Sequence, residues 1–286
     1  MKDWTPSALL HASGMYWESC AIHAAVHLDV FTPLSDGPMT VTELADRTGC
    51  RPPKPRPPSN PALCAMGLLI RQGETCELPP FSRNHLCRGN PGYLGHIVEH
   101  HRHLMPGWSK LDESVRENRP TRHRSSVDTE DTGERESFLM GMYNIANAQA
   151  KRSVPYIDLS GRSHLLDLGG ATGAYAIHFC RRNPGLSATV FDLPTTRPFA
   201  ERVIADSGMA DRISFVGGDF TTEDLPGGFD VAWLSQILHG AGFDESANIV
   251  RKAAQSLVPG GLLLIQEFIL DDNRSGPQHP ALFDLN

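Results

Sequence analysis

His164-Leu165-Leu166-Asp167-Leu168-Gly169-Gly170-Ala171-Thr172-Gly173 is the stretch from which the rest of the chain can be read. A short apolar run ends in an acid, and three glycines follow within five residues. That pattern predicts a buried parallel strand leading into a tight turn. Glycines there permit positive φ and let a ligand approach the backbone closely. Ala174 to Arg182 then reads as a helix, whose free N–H groups would face that ligand.

Spacing narrows the ligand. A dinucleotide site needs G-x-G-x-x-G, but counted from Gly169 the later glycine positions hold Ala171 and Ala174. The pattern present is D-x-G-x-x-x-G. Downstream, strands are expected near 164–168, 188–192, 213–216, 229–235 and 261–269, with helices near 173–183, 197–208 and 244–257. Such alternation predicts an α/β fold, a parallel doubly wound sheet with helices on both faces. Ligands of such sheets bind at the C-terminal strand ends. Asp192, in Phe191-Asp192-Leu193-Pro194, closes the second strand about twenty residues after the glycines, where a carboxylate can accept from ribose hydroxyls. Gly217-Gly218-Asp219-Phe220 closes the third, offering an acid for an adenine amine and a ring to cover the base.

Three strand ends with matched chemistry make a resemblance specific. The chain resembles the S-adenosylmethionine-dependent small-molecule O-methyltransferases of the plant type, the caffeate and acetylserotonin (hydroxyindole) group. The residues carrying the resemblance are Asp167 to Gly173, Phe191 to Pro194, Gly217 to Phe220, Leu238-His239 and Pro259-Gly260-Gly261. It covers nearly the whole chain. It implies a class I methyltransferase Rossmann-like sheet, a mostly helical winged-helix-like dimerisation domain before it, and S-adenosylmethionine as cofactor. It further implies that Asp167, Gly169, Gly170, Gly173, Asp192, Leu193, Gly218, Asp219, Phe220 and Ser235 bind the cofactor, Ser235 standing where the plant enzymes carry a lysine. His239 takes the place of the catalytic base and Glu267 that of an acid orienting its imidazole. Histidine suits that task because it titrates near neutrality. The base is usually followed by Asp-Trp, whereas Gly240-Ala241 stand here. Phe138 and Met142 correspond to residues packing on substrate or on the methionine end of the cofactor.

The first third reads as residues 1–94, the winged-helix-like domain, followed by a helical linker and the methyltransferase domain in 95–286. Leu9, Leu10, Met15, Trp17, Ala21, Ile22, Ala25, Val26 and Leu28 give helical spacing over 5–32. Of these, Leu9, Leu10, Met15, Trp17, Ile22 and Val26 are more than one small helical layer hides, and with the interlocked N-terminal region that the resemblance implies they predict a homodimer. Thr40 and Glu43 form a capping-box pattern, and Met66 to Leu78 reads as a helix end and a small hairpin. Between them, Arg51 to Pro61 holds six prolines in eleven residues and excludes the third helix a winged helix needs. His96, His100 and His103 fall on one helix face. They read as a polar face, as the lining of a substrate cavity with His103 contributing, or, less well for want of Cys and carboxylate partners, as metal ligands; no metal is expected.

Among 286 residues, 40% apolar content supports real cores, and a net charge of −7 disfavours nucleic acid as partner. No apolar run approaches a membrane span and no signal pattern opens the chain. Six cysteines without any C-x-x-C pair read as reduced thiols of a cytoplasmic protein. The expected partner is a small hydroxyl-bearing, aromatic or polyketide-like acceptor. Two other readings compete: a winged-helix ligand-sensing regulator or catalytically inactive methyltransferase-like protein, and a nicotinamide-dependent enzyme, which the glycine spacing disfavours. After the fifth strand only Leu270 to Asn286 remain, whereas the resembling enzymes continue with a helix, a strand pair and a second acid beside the base. C-terminal truncation, retained cofactor binding, weak turnover and a tendency to aggregate are therefore expected.

Overall fold

The computed structural model describes residues 3–51, 61–119 and 132–285. Most of the proline-rich segment, 52–60, lies outside them. The chain divides into two compact units, Met1–Gly141 and Met142–Asn286.

The first unit is mostly helical. Helices α1 (Pro6–Gly14) and α2 (Tyr16–His27) lie within the helical region expected over 5–32. The chain breaks at Gly14-Met15, glycine being a poor helix former, and Thr5 caps α1 by accepting the Ala8 N–H. Strand β1 (Met39–Thr40) leads into α3 (Val41–Arg47), where Thr40 and Glu43 bond reciprocally as the pattern predicted. A short α4 (Pro61–Ala65) precedes strands β2 (Ile70–Gln72) and β3 (Thr75–Glu77), an antiparallel hairpin that β1 joins in the order β1-β3-β2. Then follow α5 (Pro80–His85), α6 (Gly95–Trp108), α7 (Leu111–Glu117) and α8 (Thr132–Ser153), the last running across the unit boundary. Val26, Phe31, Leu34, Leu63 and Leu69 form the core of this unit. Helix α1 buries none of its side chains.

The second unit is a five-stranded parallel sheet. Its strands are β4 (His164–Leu168), β5 (Ser187–Asp192), β6 (Ile213–Gly217), β7 (Phe229–Ser235) and β8 (Leu257–Gln266), in the order β6-β5-β4-β7-β8. Helices α9 (Ala174–Arg182), α10 (Arg197–Asp206) and α11 (Phe243–Gln255) connect them, and α12 (Gln278–Phe283) is the last described helix. The strand order reverses beside β4, the switch point where such sheets bind ligands. Alternation along β7 divides the core: Trp233 meets Tyr175 and Phe179 of α9, whereas Leu234 joins Leu166, Leu168, Ile249 and Ala253 against α11. Replacing the fully buried Leu166 by Ala would cost about 2–5 kcal/mol.

The last strand is displaced from the expected 261–269. It begins at Leu257, and Phe229 pairs with Leu257 while Val231 pairs with Leu262. The surplus residues around Pro259-Gly260 bulge out, with Gly260 at φ 80. Strand pairing stops at Gln266, so Glu267 lies just beyond the sheet.

Candidate active site

All five C-terminal strand ends that carry candidate residues belong to the second unit. Asp167 is the buried acid of β4, and its Oδ2 accepts the Ala176 N–H of α9 at 3.1 Å. Burial pushes its carboxyl up to about 7, with the neighbouring Asp192 charge adding to the shift and the Ala176 hydrogen bond opposing it. A Cβ on Gly170 would stand 2.6 Å from this carboxyl carbon, so glycine there is a steric requirement of Asp167. Gly169 has φ 63 and would meet Ile237 at 2.6 Å, and Gly173 forms the N-cap of α9. Between them Ala171 adopts φ 47 without being glycine. Its N–H donates to Asp192 Oδ2 at 2.9 Å, tying the loop to the end of β5.

Asp192 Oδ1 accepts the Leu193 N–H at 2.8 Å and the Thr196 hydroxyl at 2.9 Å. Burial raises its pKa against these three hydrogen bonds. A carboxylate offers about four acceptor positions, which leaves one open. Gly218 donates its N–H to the Asp192 carbonyl. Asp219 Oδ1 accepts from the Thr221 hydroxyl at 2.6 Å and the Thr221 N–H at 2.8 Å, and the hydroxyl bond leads in holding its carboxyl below the usual range, against partial burial. Phe220 and Ile237 are partly buried and pack against the core cluster that includes Leu168, Phe191 and Leu234. Ser235 ends β7, paired with Gln266 of β8. Next to it Gln236 has φ 58 and buries its Oε1 without a hydrogen-bond partner among the described residues. Nothing in the sequence pattern pointed to Gln236 or Thr196.

His239 and Glu267 meet. Nδ1 of His239 lies 3.1 Å from Glu267 Oε2, and Glu267 Oε1 accepts the Leu238 N–H at 2.7 Å. Burial would raise the Glu267 carboxyl, but the bonds from His239 and Leu238 and the His239 charge outweigh it and hold the group below its ordinary value. A carboxylate only accepts, so Nδ1 carries a proton in either state of the ring, and in the neutral imidazole Nε2 presents a lone pair. The imidazole is partly exposed and meets Phe283 of α12 edge-on at 4.9 Å. Phe283 lies in the stretch after the last strand, where the sequence pattern offers no site residue.

The remaining expected residues fall elsewhere. Phe138 and His103 belong to the first unit, where Phe138 packs against the buried His100 ring at 5.2 Å. That burial corrects the reading of His96, His100 and His103 as one polar face. His103 borders a cavity of about 440 Å³ with Glu99, Arg102 and Ser137. Arg102 Nη2, which only donates, lies 3.1 Å from His103 Nε2, so the proton sits on Nδ1, 3.2 Å from Ser137 Oγ. Met142 lies half-buried on α8 in the second unit. Among the described residues no group of three His, Cys, Asp or Glu side chains could hold a metal ion.

A profile of the O-methyltransferase domain matches residues 108–286. The chain belongs to the O-methyltransferase family. It is 34% identical over 287 residues to the 3-hydroxy-5-methyl-1-naphthoate 3-O-methyltransferase of Streptomyces sahachiroi, covering 98% of this chain and 82% of that one. It is 33% identical to the tetracenomycin polyketide synthesis 8-O-methyl transferase TcmO of Streptomyces glaucescens, covering 98% and 84%. The solved structure of an O-methyltransferase family protein from Burkholderia thailandensis superposes with a TM-score of 0.84 at 26% identity, over 99% and 85% of the two chains. This O-methyltransferase therefore acts with S-adenosylmethionine as methyl donor. Its donor set fits that cofactor: a free acceptor position on Asp192, an orphaned Gln236 Oε1 and two acidic strand ends beside the glycine loop. Among the described residues no helix is long and apolar enough to cross a membrane.

Proposed function

We propose that this O-methyltransferase methylates a phenolic hydroxyl of a fused aromatic, polyketide-type acceptor, with His239 as general base. The observation that carries this reading is the His239–Glu267 pair. Glu267 fixes the ring through Nδ1 and leaves Nε2 to take the phenol proton as the methyl group transfers. The same carboxylate holds the Leu238 N–H, so the backbone bearing the base is fixed with it. The naphthoate and tetracenomycin names of the relatives support the acceptor class.

Asp192 and Leu193 would hold the ribose, Asp219 and Phe220 the adenine, and Asp167, Gly169, Gly170, Gly173, Gly218 and Ser235 the surrounding loops and the methionine end. When bound there, S-adenosylmethionine supplies an activated sulfonium methyl, so the chain need only orient the acceptor, exclude water and remove a proton. Phe138, Met142 and His103 are assigned to acceptor selection on the resemblance alone. Residues 1–94 are read as the winged-helix-like dimerisation domain and 95–286 as linker and catalytic domain. Leu9, Leu10, Met15, Tyr16 and Trp17, all more than half exposed, support dimerisation through this region. Six free cysteines support a reducing, cytoplasmic setting.

The test is labelled methyl transfer to hydroxynaphthoates and polycyclic phenols. His239→Ala is expected to lower kcat by about 10²–10⁴-fold with cofactor affinity retained. Turnover by His239→Ala at the parental rate would remove the base from the reading. A light-scattering mass of one chain at micromolar concentration would remove the dimer.

A further inference from the structure

Beside the base, on the other side of the β8 end, lies a ring of hydrogen bonds that the mechanism above does not use. Gln266 is the last residue of β8, paired with Ser235 of β7. Its Nε2 donates to Tyr175 Oη at 2.9 Å and to Gln149 Oε1 at 3.1 Å, and Tyr175 Oη donates to the same Gln149 oxygen at 3.1 Å. Every donor and acceptor in this triangle is used consistently: the amide gives both protons, the phenol gives one, and the Gln149 carbonyl accepts two. Tyr175 is buried, its ring 4.9 Å from Trp233, so the triangle stands on the core packing of α9.

Successive residues of an extended chain point to opposite sides. Gln266 turns to α8 and α9, and Glu267, the next residue, turns to Leu238 and His239. The Gln266 carbonyl meanwhile accepts the Gln236 N–H at 2.9 Å, closing the β7 end over the same peptide. Among the described residues β8 has β7 as its one strand neighbour. Its last residues therefore owe their orientation to that pairing and to the side-chain triangle.

We infer that Gln266, clamped by Tyr175 and Gln149, is a positioning residue that aims Glu267 at His239 and so sets the orientation of the base. The inference rests on the reading of His239 as base. Sequence pattern alone would class these three residues as ordinary helix and strand polar positions, since they are 91 and 117 residues apart in the chain from Gln266.

Two substitutions open the triangle differently. Gln266→Leu removes both donated bonds, and Tyr175→Phe removes the hydroxyl while keeping the ring on Trp233. Each is expected to lower kcat about tenfold, because small misplacements of catalytic groups have large effects on rate. Cofactor affinity should stay within about twofold, and the double variant should lose little more than either single one, since both act on one network. Carbon-detected NMR titration of the Glu267 carboxyl separates positioning from general loosening: its midpoint should rise towards the ordinary glutamate value in both variants. A Tyr175→Phe protein with parental kcat and an unmoved Glu267 titration would overturn the clamp. A lowered kcat with that titration unmoved would overturn it equally. If His239→Ala keeps full turnover, the base reading has failed, and the Glu267 titration then decides the clamp by itself.

Discussion

The two units bury their sequence differently. In the second, apolar strands lie between helices on both faces, and each acid at a strand end has named hydrogen-bond partners. In the first, α1 buries nothing, and Leu10 and Trp17 are 74% and 69% exposed. Chemistry that needs side chains held to fractions of an ångström belongs on the sheet, where the backbone is over-determined. On the proposed reading, the open apolar helices of the first unit serve association instead, where area matters more than the aim of any one group.

That contrast can be pressed hardest at Asp167. Its carboxyl has an ordinary value of 3.8 and is pushed up to about 7 by burial. The folded-state value lies above the unfolded one, so the native state binds the extra proton between them. Stability should therefore fall as pH rises from about 4 to about 7, by up to about 4 kcal/mol, and level off above that. Asp167→Asn keeps an oxygen for the Ala176 N–H and should flatten the slope. Thermal midpoints of both proteins across that pH window check it, and an unchanged slope would mean that Asp167 is ionised at little cost.

Asp192→Ala comes next. It removes the tie to Ala171 and the one open acceptor position, and cofactor affinity should drop by about 1.5–3 kcal/mol, the range for a hydrogen bond to a charged group. Titration calorimetry with S-adenosylmethionine reads this directly, and parental affinity would sink the ribose assignment. The same change should leave the oligomeric state alone, which sharpens the division between the units.

In the first unit Thr40→Ala removes the hydroxyl half of a capping box, leaving the residue-40 N–H to donate to Glu43, and should destabilise by about 1 kcal/mol, read from denaturant midpoints. Cofactor affinity should not move. The smallest effect is expected at Ala171, whose left-handed φ of 47 glycine adopts without strain; Ala171→Gly should stabilise by about 1 kcal/mol or less, again by denaturant midpoint.

Much of this molecule is legible in one dimension. The β4 run, the glycine loop, the acids closing β5 and β6, and the alternation of strand and helix are local or periodic features, and periodicity follows from backbone geometry. The Thr40–Glu43 cap is legible for the same reason, its partners being three residues apart. Pairing of His239 with Glu267 was readable only through resemblance, because 28 residues separate them. Three things waited for the tertiary structure. Proline and glycines near 259–261 hid the true start of β8, which pairing with β7 decides. The edge contact of Phe283 with His239 and the triangle of Gln149, Tyr175 and Gln266 join distant segments. Residue types and spacing determine which elements form. Which side chains from separate elements share a hydrogen bond depends on register and packing, and those are properties of the assembled sheet.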